Sequence, residues 1–379
     1  MTWKIPFGTL RISETAKKYL ARAVEKNWIT EGENVEEFEV QFCKRFGWKY
    51  GIATSSGTTA GEVLWSAIRE IHNKKNPGVE PTGRVITPAC AFVATANVVL
   101  AASLIPEFVD VSLDTLNIDP VKIPWGNVPN PVAVQFVSTL GNMIPMDAVS
   151  KAAKRRGLFV IGDECEAHGG KLNGEPSRYL DAAIYSFYVA HIVVGGEGGI
   201  VCTNDEEIAN LCRSIKSHGR PPGSIYFQFD RPGGNAKAND MCFAVALGSL
   251  ADFDETFERR REIRQKFING LAPLEDKLIL YRDGPNEIIA PHGFGVVLRD
   301  EGATITPLYN YLESKGIQVK LTFGSIPTGH AGFKFMGRKI GDFPVSERIG
   351  RTSLHWGCSE LYSDKDVDYV IDSVQKFFP

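Results

Sequence analysis

Residues 131–164, PVAVQFVSTLGNMIPMDAVSKAAKRRGLFVIGDE, decide the fold class. The first eight and the last seven residues of this stretch are apolar runs typical of buried β-strands, and residues 145–157 between them have helical spacing. A strand, a helix and a second strand in succession predict parallel strands with a helix packed across them. Whether the whole chain adopts this class depends on whether the unit repeats.

The same alternation extends from about residue 50 to residue 245. Strand-like runs also occur at 84–89, 105–111, 182–188 and 198–204, and helical patterns at 57–71, 94–102 and 205–217. The strands are apolar on both faces, so we expect helices on both sides of the sheet. We therefore predict an α/β large domain, residues 1–249, with a mostly parallel sheet.

The pattern changes after residue 249. A charged helix over 252–271 is followed by isolated strands and further helices, which predicts a smaller C-terminal α+β domain over residues 250–379. The stretch 217–235 before this change is rich in Gly and Pro and long for a connection, so we expect an irregular, functional loop there.

Composition and charge narrow the possible partners. The formal net charge is −3 and the isoelectric point is near 6.2, so the chain lacks the basic field that nucleic acid or an anionic membrane requires. The N-terminus does not resemble a secretory signal and no apolar run is long enough to span a bilayer, which favours a cytoplasmic protein. The seven cysteines are scattered without a CxxC or CxC pair, and we expect no metal site.

Two motifs at strand ends are candidates for ligand binding. The segment SSGTT at 55–59, which includes Gly57 and Thr58, opens a helix after a strand-like run, so its N–H groups could hold a phosphate; a simple helix cap is the alternative. Asp163 ends an apolar strand, where its carboxylate could keep a heterocyclic nitrogen protonated or could cap the next turn.

Two further motifs concern an aromatic ring and a proton-transfer group. Phe92 follows the strand at 84–89 and could stack on a planar ring, although a single Phe is more often part of the core. Ser186 and His191 precede a glycine-rich turn, and His191 could act as a base near neutral pH or be a hydrogen-bonded structural residue.

Taken together, the chain resembles the nucleotide-sugar aminotransferase (DegT-type) family of fold-type I pyridoxal-phosphate enzymes. Matching blocks occur in the same order along nearly the whole chain: NWITEGENVEEFE (27–39), SSGTTA (55–60), TPACAFVATAN (87–97), FVDVSLDTLNID (108–119), GDECEAHGG (162–170), YSFYVAHIVVGGEGGIVCTND (185–205), GGNAKANDMCFAVALG (233–248) and, more weakly, FPVSERIGRTSLHWGC (343–358).

The resemblance implies a role for each candidate residue. Gly57, Thr58 and Ser186 correspond to phosphate ligands, Asp163 to the partner of the pyridine nitrogen and Phe92 to the stacking residue. Glu166 takes the place of a residue near the ring oxygen, which is commonly Gln. Asn235 corresponds to a residue that reaches the cofactor phosphate of the neighbouring subunit, which implies a homodimer with shared active sites.

The main departure from the family pattern is His191. Ordinary members have at this place the lysine that forms the Schiff base, and imidazole has no primary amine. The same exchange marks the branch of pyridoxamine-dependent 3-dehydratases of 4-keto-6-deoxy nucleotide sugars. The resemblance therefore implies a lyase of deoxysugar and lipopolysaccharide biosynthesis, with non-covalent pyridoxal or pyridoxamine phosphate and His191 as the catalytic base. Ser138 departs from this branch, which often has His there.

The partners expected from the resemblance are a nucleotide sugar, glutamate as amino donor and a second copy of the chain. Because the cysteines lack close spacing, we favour the cluster-free version of the reaction over one that needs an iron–sulfur cluster. Two alternatives remain: a nucleotide-sugar aminotransferase that works without the usual lysine, and an inactive family member with a regulatory role.

Overall fold

The computed structural model of the chain describes residues 3–8, 10–78, 82–223 and 225–378. The strands in these ranges are β1 (Tyr50–Thr54), β2 (Arg84–Pro88), β3 (Ile105–Val109), β4 (Pro131–Val137), β5 (Phe159–Asp163), β6 (Lys171–Leu172), β7 (Ala182–Ser186), β8 (Gly199–Thr203), β9 (Leu278–Leu280), β10 (Glu287–Ile288), β11 (Gly293–Leu298), β12 (Val319–Leu321) and β13 (Ser353–Gly357).

The α-helices in the same ranges are α1 (Glu14–Glu25), α2 (Glu33–Phe46), α3 (Gly57–Lys75), α4 (Ala94–Ala101), α5 (Met146–Lys154), α6 (Glu206–Ile215), α7 (Asp240–Ala251), α8 (Phe253–Leu271), α9 (Thr306–Ser314), α10 (Ile326–Gly329), α11 (Pro344–Thr352) and α12 (Asp364–Phe377).

Seven strands form one large sheet in the order β1-β8-β7-β5-β4-β2-β3. The five strands from β7 to β3 pair in parallel, whereas β8 is antiparallel to both of its neighbours, β7 and β1. Six of the seven strands therefore run in one direction, which confirms the predicted α/β fold with a mostly parallel sheet. The carboxyl ends of these six strands meet at one edge, where open α/β sheets bind ligands.

Helices cover both faces of this sheet, as the doubly apolar strands predict. One face packs against α2, α5 and α7 through a cluster of buried aromatic side chains: Phe38, Phe42, Phe136, Phe187 and Phe243. The other face packs against α3, α4 and α6 through a mainly aliphatic cluster that includes Leu64, Trp65, Ile68, Val98 and Ile208. The sheet is therefore buried on both sides, which explains its near-continuous apolar strands.

A second, antiparallel sheet follows in the C-terminal part, in the order β12-β13-β11-β9. The helices α8, α9 and α12 pack against it through side chains such as Ile263, Phe267, Leu308, Leu312 and Val370. The expected boundary between residues 249 and 250 falls inside α7 (Asp240–Ala251), so the proposed division into two domains stays a prediction.

Residues 217–235, called the arm below, leave the end of α6 and return to it. Within its described residues the arm has no helix or strand, and one antiparallel bridge between Ser217 and Asn235 closes its base. Ile225 and Phe227 near its tip are each 86% exposed. The arm is thus an irregular excursion, as its Gly and Pro content predicts, and it presents apolar side chains to its surroundings.

Within the described ranges, no helix combines the length and the apolar character needed to cross a bilayer. All seven cysteines are free thiols, and five of them are buried. No group of three His, Cys, Asp or Glu side chains in the described part of the chain is arranged to hold a metal ion.

A buried carboxyl joins two strand ends of the large sheet. Glu164, directly after β5, is 0% exposed, and the Ser138 hydroxyl after β4 lies 2.9 and 2.8 Å from its two oxygens. Burial and, to a smaller extent, the neighbouring Asp163 raise the pKa of Glu164 to about 8, against the lowering effect of the Ser138 hydrogen bond. The side chain is therefore largely a neutral acid at pH 7.

This raised pKa predicts a pH-dependent stability. The folded state binds the Glu164 proton more tightly than the unfolded state, so stability is full below the unfolded pKa and is lost as the pH rises towards 8. Glu164→Gln removes this titration. We expect the variant to gain stability relative to the wild type between pH 5 and pH 8, by at most about 1.4 kcal/mol per pH unit.

Urea unfolding at intervals from pH 5 to pH 8 measures this difference, and Glu36→Gln on the exposed face of α2 is the matched control. The difference between Glu164→Gln and wild type is expected to grow with pH, while that of the control stays constant. Parallel curves for all three proteins would show that Glu164 is ionised in the fold at neutral pH.

Candidate active site

The start of α3 and the end of β7 form a close contact at the carboxyl edge of the large sheet. A Cβ atom at Gly57 would lie 2.7 Å from the Ser186 Cβ, and one at Gly199 would lie 2.3 Å from the Ser56 carbonyl oxygen. Only glycine fits at these two places. The first turn of α3 is thereby held directly beside the Ser186 side chain.

This contact creates a cradle for an anion. Ser56 caps α3 by accepting a hydrogen bond from the Thr59 N–H, and the Ser56 carbonyl accepts from Ala60. In the described structure the N–H groups of Gly57 and Thr58 carry no hydrogen bond, and a helix N-terminus attracts negative charge. Gly57, Thr58 and Ser186 thus meet in the arrangement that a phosphate group needs.

Asp163 at the end of β5 is a carboxylate without a cationic partner. It accepts a hydrogen bond of 2.8 Å from the Thr95 hydroxyl, and the Cys165 N–H lies 3.5 Å away. Burial raises the pKa of Asp163, because these neutral donors compensate only part of the lost hydration. A protonated heterocyclic nitrogen would supply the missing positive charge.

Phe92 is linked to the Asp163 carboxyl through Thr95. Its carbonyl accepts from the Thr95 N–H at 3.0 Å, and the hydroxyl of the same Thr95 donates to Asp163. The Phe92 ring is 56% exposed and lies 5.8 Å from the ring of Phe323. It is therefore not a core residue, and a large part of its surface is free to stack on a planar ligand.

His191 lies in the connection between β7 and the reversed strand β8. Its N–H donates to the Tyr188 carbonyl at 2.9 Å, and Arg260 of α8 approaches its carbonyl to 3.4 Å. The ring nitrogen Nδ1 is buried without a hydrogen-bond partner, so Nε2 is the nitrogen that a ligand can reach. Burial and the Arg260 guanidinium lower the pKa of His191 to about 3, which keeps the imidazole neutral.

The Glu166 carboxyl already contacts two groups of its own chain. Its Oε2 accepts from the Leu140 N–H at 2.7 Å, and its Oε1 lies 3.4 Å from Nε2 of His292. Burial raises the pKa of Glu166 to about 7. The expected contact of Glu166 with a cofactor ring oxygen would have to coexist with both of these interactions.

Asn235 lies at the base of the arm and is exposed. Its Oδ1 is 3.5 Å from the Lys237 N–H, and the next residue, Ala236, accepts from the Ser55 N–H at 3.1 Å. The base of the arm thus borders the phosphate cradle of its own chain. The expected reach of Asn235 into a neighbouring subunit stays a prediction.

Sequence reasoning missed three residues around His191. His168 and His292 have rings 5.7 and 5.1 Å from the His191 ring, and Arg260 is 2% exposed and paired with Glu360. Arg260 and His292 lie far along the chain from the strand motifs. In the sequence, His292 is visible only as a histidine directly before the apolar strand at 293–298. That pattern does not indicate a contact with position 191.

The site residues fit a pyridoxal-type cofactor on three observations. The cradle at Gly57 has free N–H donors for a phosphate, Asp163 lacks a counter-cation, and Phe92, which Thr95 links to that carboxylate, has an exposed side chain. These are the three features that the phosphate, the pyridine nitrogen and the ring face of such a cofactor require.

Sequence comparisons find relatives along almost the whole chain. A protein of Saccharopolyspora spinosa named dTDP-4-dehydro-2,6-dideoxy-D-glucose 3-dehydratase is 29% identical over 98% of this chain and 86% of its own length. The GDP-perosamine synthase of Caulobacter vibrioides is 30% identical over 98% of both chains.

Among solved structures, the GDP-4-keto-6-deoxy-D-mannose-3-dehydratase of E. coli with bound hydrated PLP has the same fold, with a TM-score of 0.88, 23% identity and coverage of 98% of this chain and 100% of that one. The family model described as DegT/DnrJ/EryC1/StrS aminotransferase family matches residues 10–375. The chain therefore belongs to the DegT/DnrJ/EryC1/StrS aminotransferase family.

Proposed function

We propose that this protein is a pyridoxamine- or pyridoxal-phosphate-dependent 3-dehydratase that removes the C3 hydroxyl of a nucleotide-linked 4-keto-6-deoxyhexose. The observation that carries the proposal is His191, a neutral imidazole five residues after the Ser186 of the phosphate cradle, where ordinary family members have a lysine. Loss of the lysine without loss of Asp163, Ser186 or Gly57 favours changed chemistry over lost chemistry.

The cofactor would be held by residues that the fold brings to one edge of the sheet. Gly57, Thr58 and Ser186 would bind its phosphate, Asp163 its ring nitrogen and Phe92 one face of its ring, with Glu166 beside them. Pyridoxamine phosphate supplies a primary amine that can bond to a sugar ketone and a ring that can take up electrons. The chain itself has to supply the group that moves protons.

His191 is our candidate for that group. Its neutral state at pH 7 leaves a lone pair on one of its two ring nitrogens, which is what a general base requires. Its backbone is fixed on both sides, by the Tyr188 carbonyl and by Arg260. A proton-transfer residue needs this kind of fixed position, because its efficiency depends on distance.

Neighbouring lysines are poor substitutes for the missing amine. The Lys216 ammonium is buried, forms an ion pair with Glu31 and donates to the Ala53 carbonyl at 3.0 Å. Lys171 pairs with Glu175 at 2.8 Å. An amine that attacks a cofactor has to be unprotonated and free to move, and these contacts oppose both conditions.

The relatives support both leading activities. Two 3-dehydratases, from Saccharopolyspora spinosa and Yersinia pseudotuberculosis, are each 29% identical to this chain, and the Caulobacter synthase is 30% identical. Identity alone therefore does not separate a dehydratase from an aminotransferase. The imidazole at position 191 is what favours dehydration.

We infer the same partners for this chain: a nucleotide sugar as substrate, glutamate as the amino donor and a second copy of the chain in a homodimer of the cytoplasm. The arm supports the dimer, because its exposed Ile225 and Phe227 would be covered in such an assembly and its base borders the phosphate cradle.

The proposal predicts a specific product. The protein is incubated with pyridoxamine phosphate, glutamate and GDP-, CDP- or dTDP-4-keto-6-deoxyhexose, and the sugar is analysed by mass spectrometry. We expect loss of the C3 oxygen without retained nitrogen. His191→Asn keeps a polar side chain but no base, so its rate is expected to fall at least about 100-fold while cofactor binding remains.

Two other results would overturn the dehydratase proposal. A product with an amine at C4 and stoichiometric use of glutamate would establish an aminotransferase. Equal and negligible turnover by the wild type and His191→Asn with all three nucleotides, together with normal cofactor binding, would favour the inactive, regulatory alternative.

A second prediction concerns the bond to the cofactor. After incubation with pyridoxal phosphate and reduction with borohydride, we expect the mass of the wild-type chain to be unchanged, because position 191 offers no amine and Lys216 and Lys171 are held in ion pairs. His191→Lys is the matched positive control and is expected to gain one reduced pyridoxyl phosphate. A wild-type adduct mapped to Lys216 or Lys171 by peptide mass spectrometry would contradict non-covalent binding.

A further inference from the structure

Glu166 and the buried His292 form a row with the candidate base, His191. The Glu166 Oε1 lies 3.4 Å from His292 Nε2, and the His292 ring lies 5.1 Å from the His191 ring, centroid to centroid. Nδ1 of His292 and Nδ1 of His191 are both buried and both lack a hydrogen-bond partner. The row therefore has one unmatched nitrogen on each of two adjacent rings.

The separation of the two rings suits a hydrogen bond between these nitrogens. An N–H···N contact of about 2.9 Å plus the two ring radii gives a centroid distance of about 5 Å, which matches the 5.1 Å between these rings once each ring turns its Nδ1 towards the other. Two unpartnered polar atoms in a buried place are costly, and pairing them removes both costs. Between two neutral imidazoles such a bond requires that one nitrogen donates and the other accepts.

We propose that Glu166 and His292 together are positioning residues that set which ring nitrogen of His191 carries the hydrogen. When His191 takes up a proton, Glu166 is its final acceptor. This inference deepens the proposed function, because its catalytic meaning rests on His191 as the base. The hydrogen-bond arrangement itself can be measured without any reaction.

Two states of the row follow from donor and acceptor matching. When Glu166 is ionised, the Nε2–H of His292 donates to the carboxylate. Nδ1 of His292 then accepts from the Nδ1–H of His191, so Nε2 of His191 carries no hydrogen. When Nε2 takes up a proton, the Nδ1 hydrogen of His191 moves to His292, and the Nε2 hydrogen of His292 moves to Glu166. One proton has entered, Glu166 has become a neutral acid and both rings are neutral again.

The charges around the row favour this relay over a simple imidazolium. Burial lowers the pKa of both His191 and His292, and Arg260 also lowers both, so a positive ring here is unfavourable. Burial and, to a smaller extent, Asp163 raise the pKa of Glu166 to about 7 against the lowering effect of the Leu140 hydrogen bond. A proton that enters at His191 is thus held more tightly on Glu166 than on either ring.

The other titratable groups near the row do not give the His191 proton an equivalent path to a carboxyl. His168 accepts from the Val193 N–H at its Nδ1, which leaves its hydrogen on Nε2; burial lowers its pKa, and the other groups that shift it, His191, Arg260 and the Ser186 backbone, include no carboxyl. His355 packs edge-on against the same Phe7 ring as His292, and burial and Lys320 lower its pKa to about 3. Among these groups, Glu166 is the carboxyl that contacts His292.

The test is the tautomer of His191 in the full-length chain without added cofactor. Nitrogen-15 NMR of ¹⁵N-histidine-labelled protein distinguishes Nδ1–H from Nε2–H, and the chain has only seven histidines. The His191 signal is assigned by its loss in His191→Asn. In the wild type we expect Nε2–H at pH 5.5 and Nδ1–H at pH 8.5, because Glu166 titrates between these values.

Glu166→Gln makes the prediction sharper. The amide oxygen is needed by the Leu140 N–H, so the amide NH₂ faces His292 and donates to its Nε2. His292 then carries its hydrogen on Nδ1 and donates to His191, which is expected to be Nε2–H at both pH values. His292→Phe keeps the ring volume but breaks the row, and the pH-dependent change at His191 is expected to disappear.

Glu164→Gln is the matched control, since it also replaces a buried carboxyl but one that contacts Ser138 and not the row. It is expected to leave the His191 signals as in the wild type. The same His191 tautomer at both pH values in the wild type, or an unchanged pH response in Glu166→Gln, would overturn the relay. Failure of the sugar assay with a normal tautomer response would instead overturn only the proposed function.

Discussion

The contact between the first turn of α3 and the end of β7 is the constraint on which the site depends. No side chain fits at Gly57 or Gly199, so the backbone of β8, the start of α3 and Ser186 lie within van der Waals distance. The reversal of β8 makes this possible, because the chain must turn back at the end of β7. The connection that reverses the chain also carries His191. The phosphate cradle and the candidate base therefore both depend on the connection between β7 and β8.

A second constraint is the balance of charge behind the cradle. Asp163 ends β5, Glu164 and Glu166 follow it within three residues, and burial raises the pKa of all three carboxyls. The histidines next to them are held neutral by burial and by Arg260. The environment of the site thus favours the neutral form of both its carboxyls and its imidazoles. A bound ligand or a transferred proton changes which of them is charged.

The sequence predicts the large sheet well, because its strands are doubly apolar and separated by helical patterns. It also predicts that Asp163, Ser186 and Gly57 meet, because parallel strands place their carboxyl ends at one edge. It could not predict the Ser138 and Glu164 pair, which depends on the register of neighbouring strands. Nor could it place His292, since nothing in a local pattern links two residues more than a hundred positions apart.

Position 191 is held in place by its backbone and not by its side chain. The peptide N–H binds the Tyr188 carbonyl and the peptide oxygen faces Arg260, whereas the imidazole makes no hydrogen bond in the described structure. The position of residue 191 therefore does not depend on which side chain it carries. In evolutionary terms, the backbone contacts that fix this position survive an exchange of amine for imidazole, so a lineage can change the reacting group without rebuilding the turn that carries it.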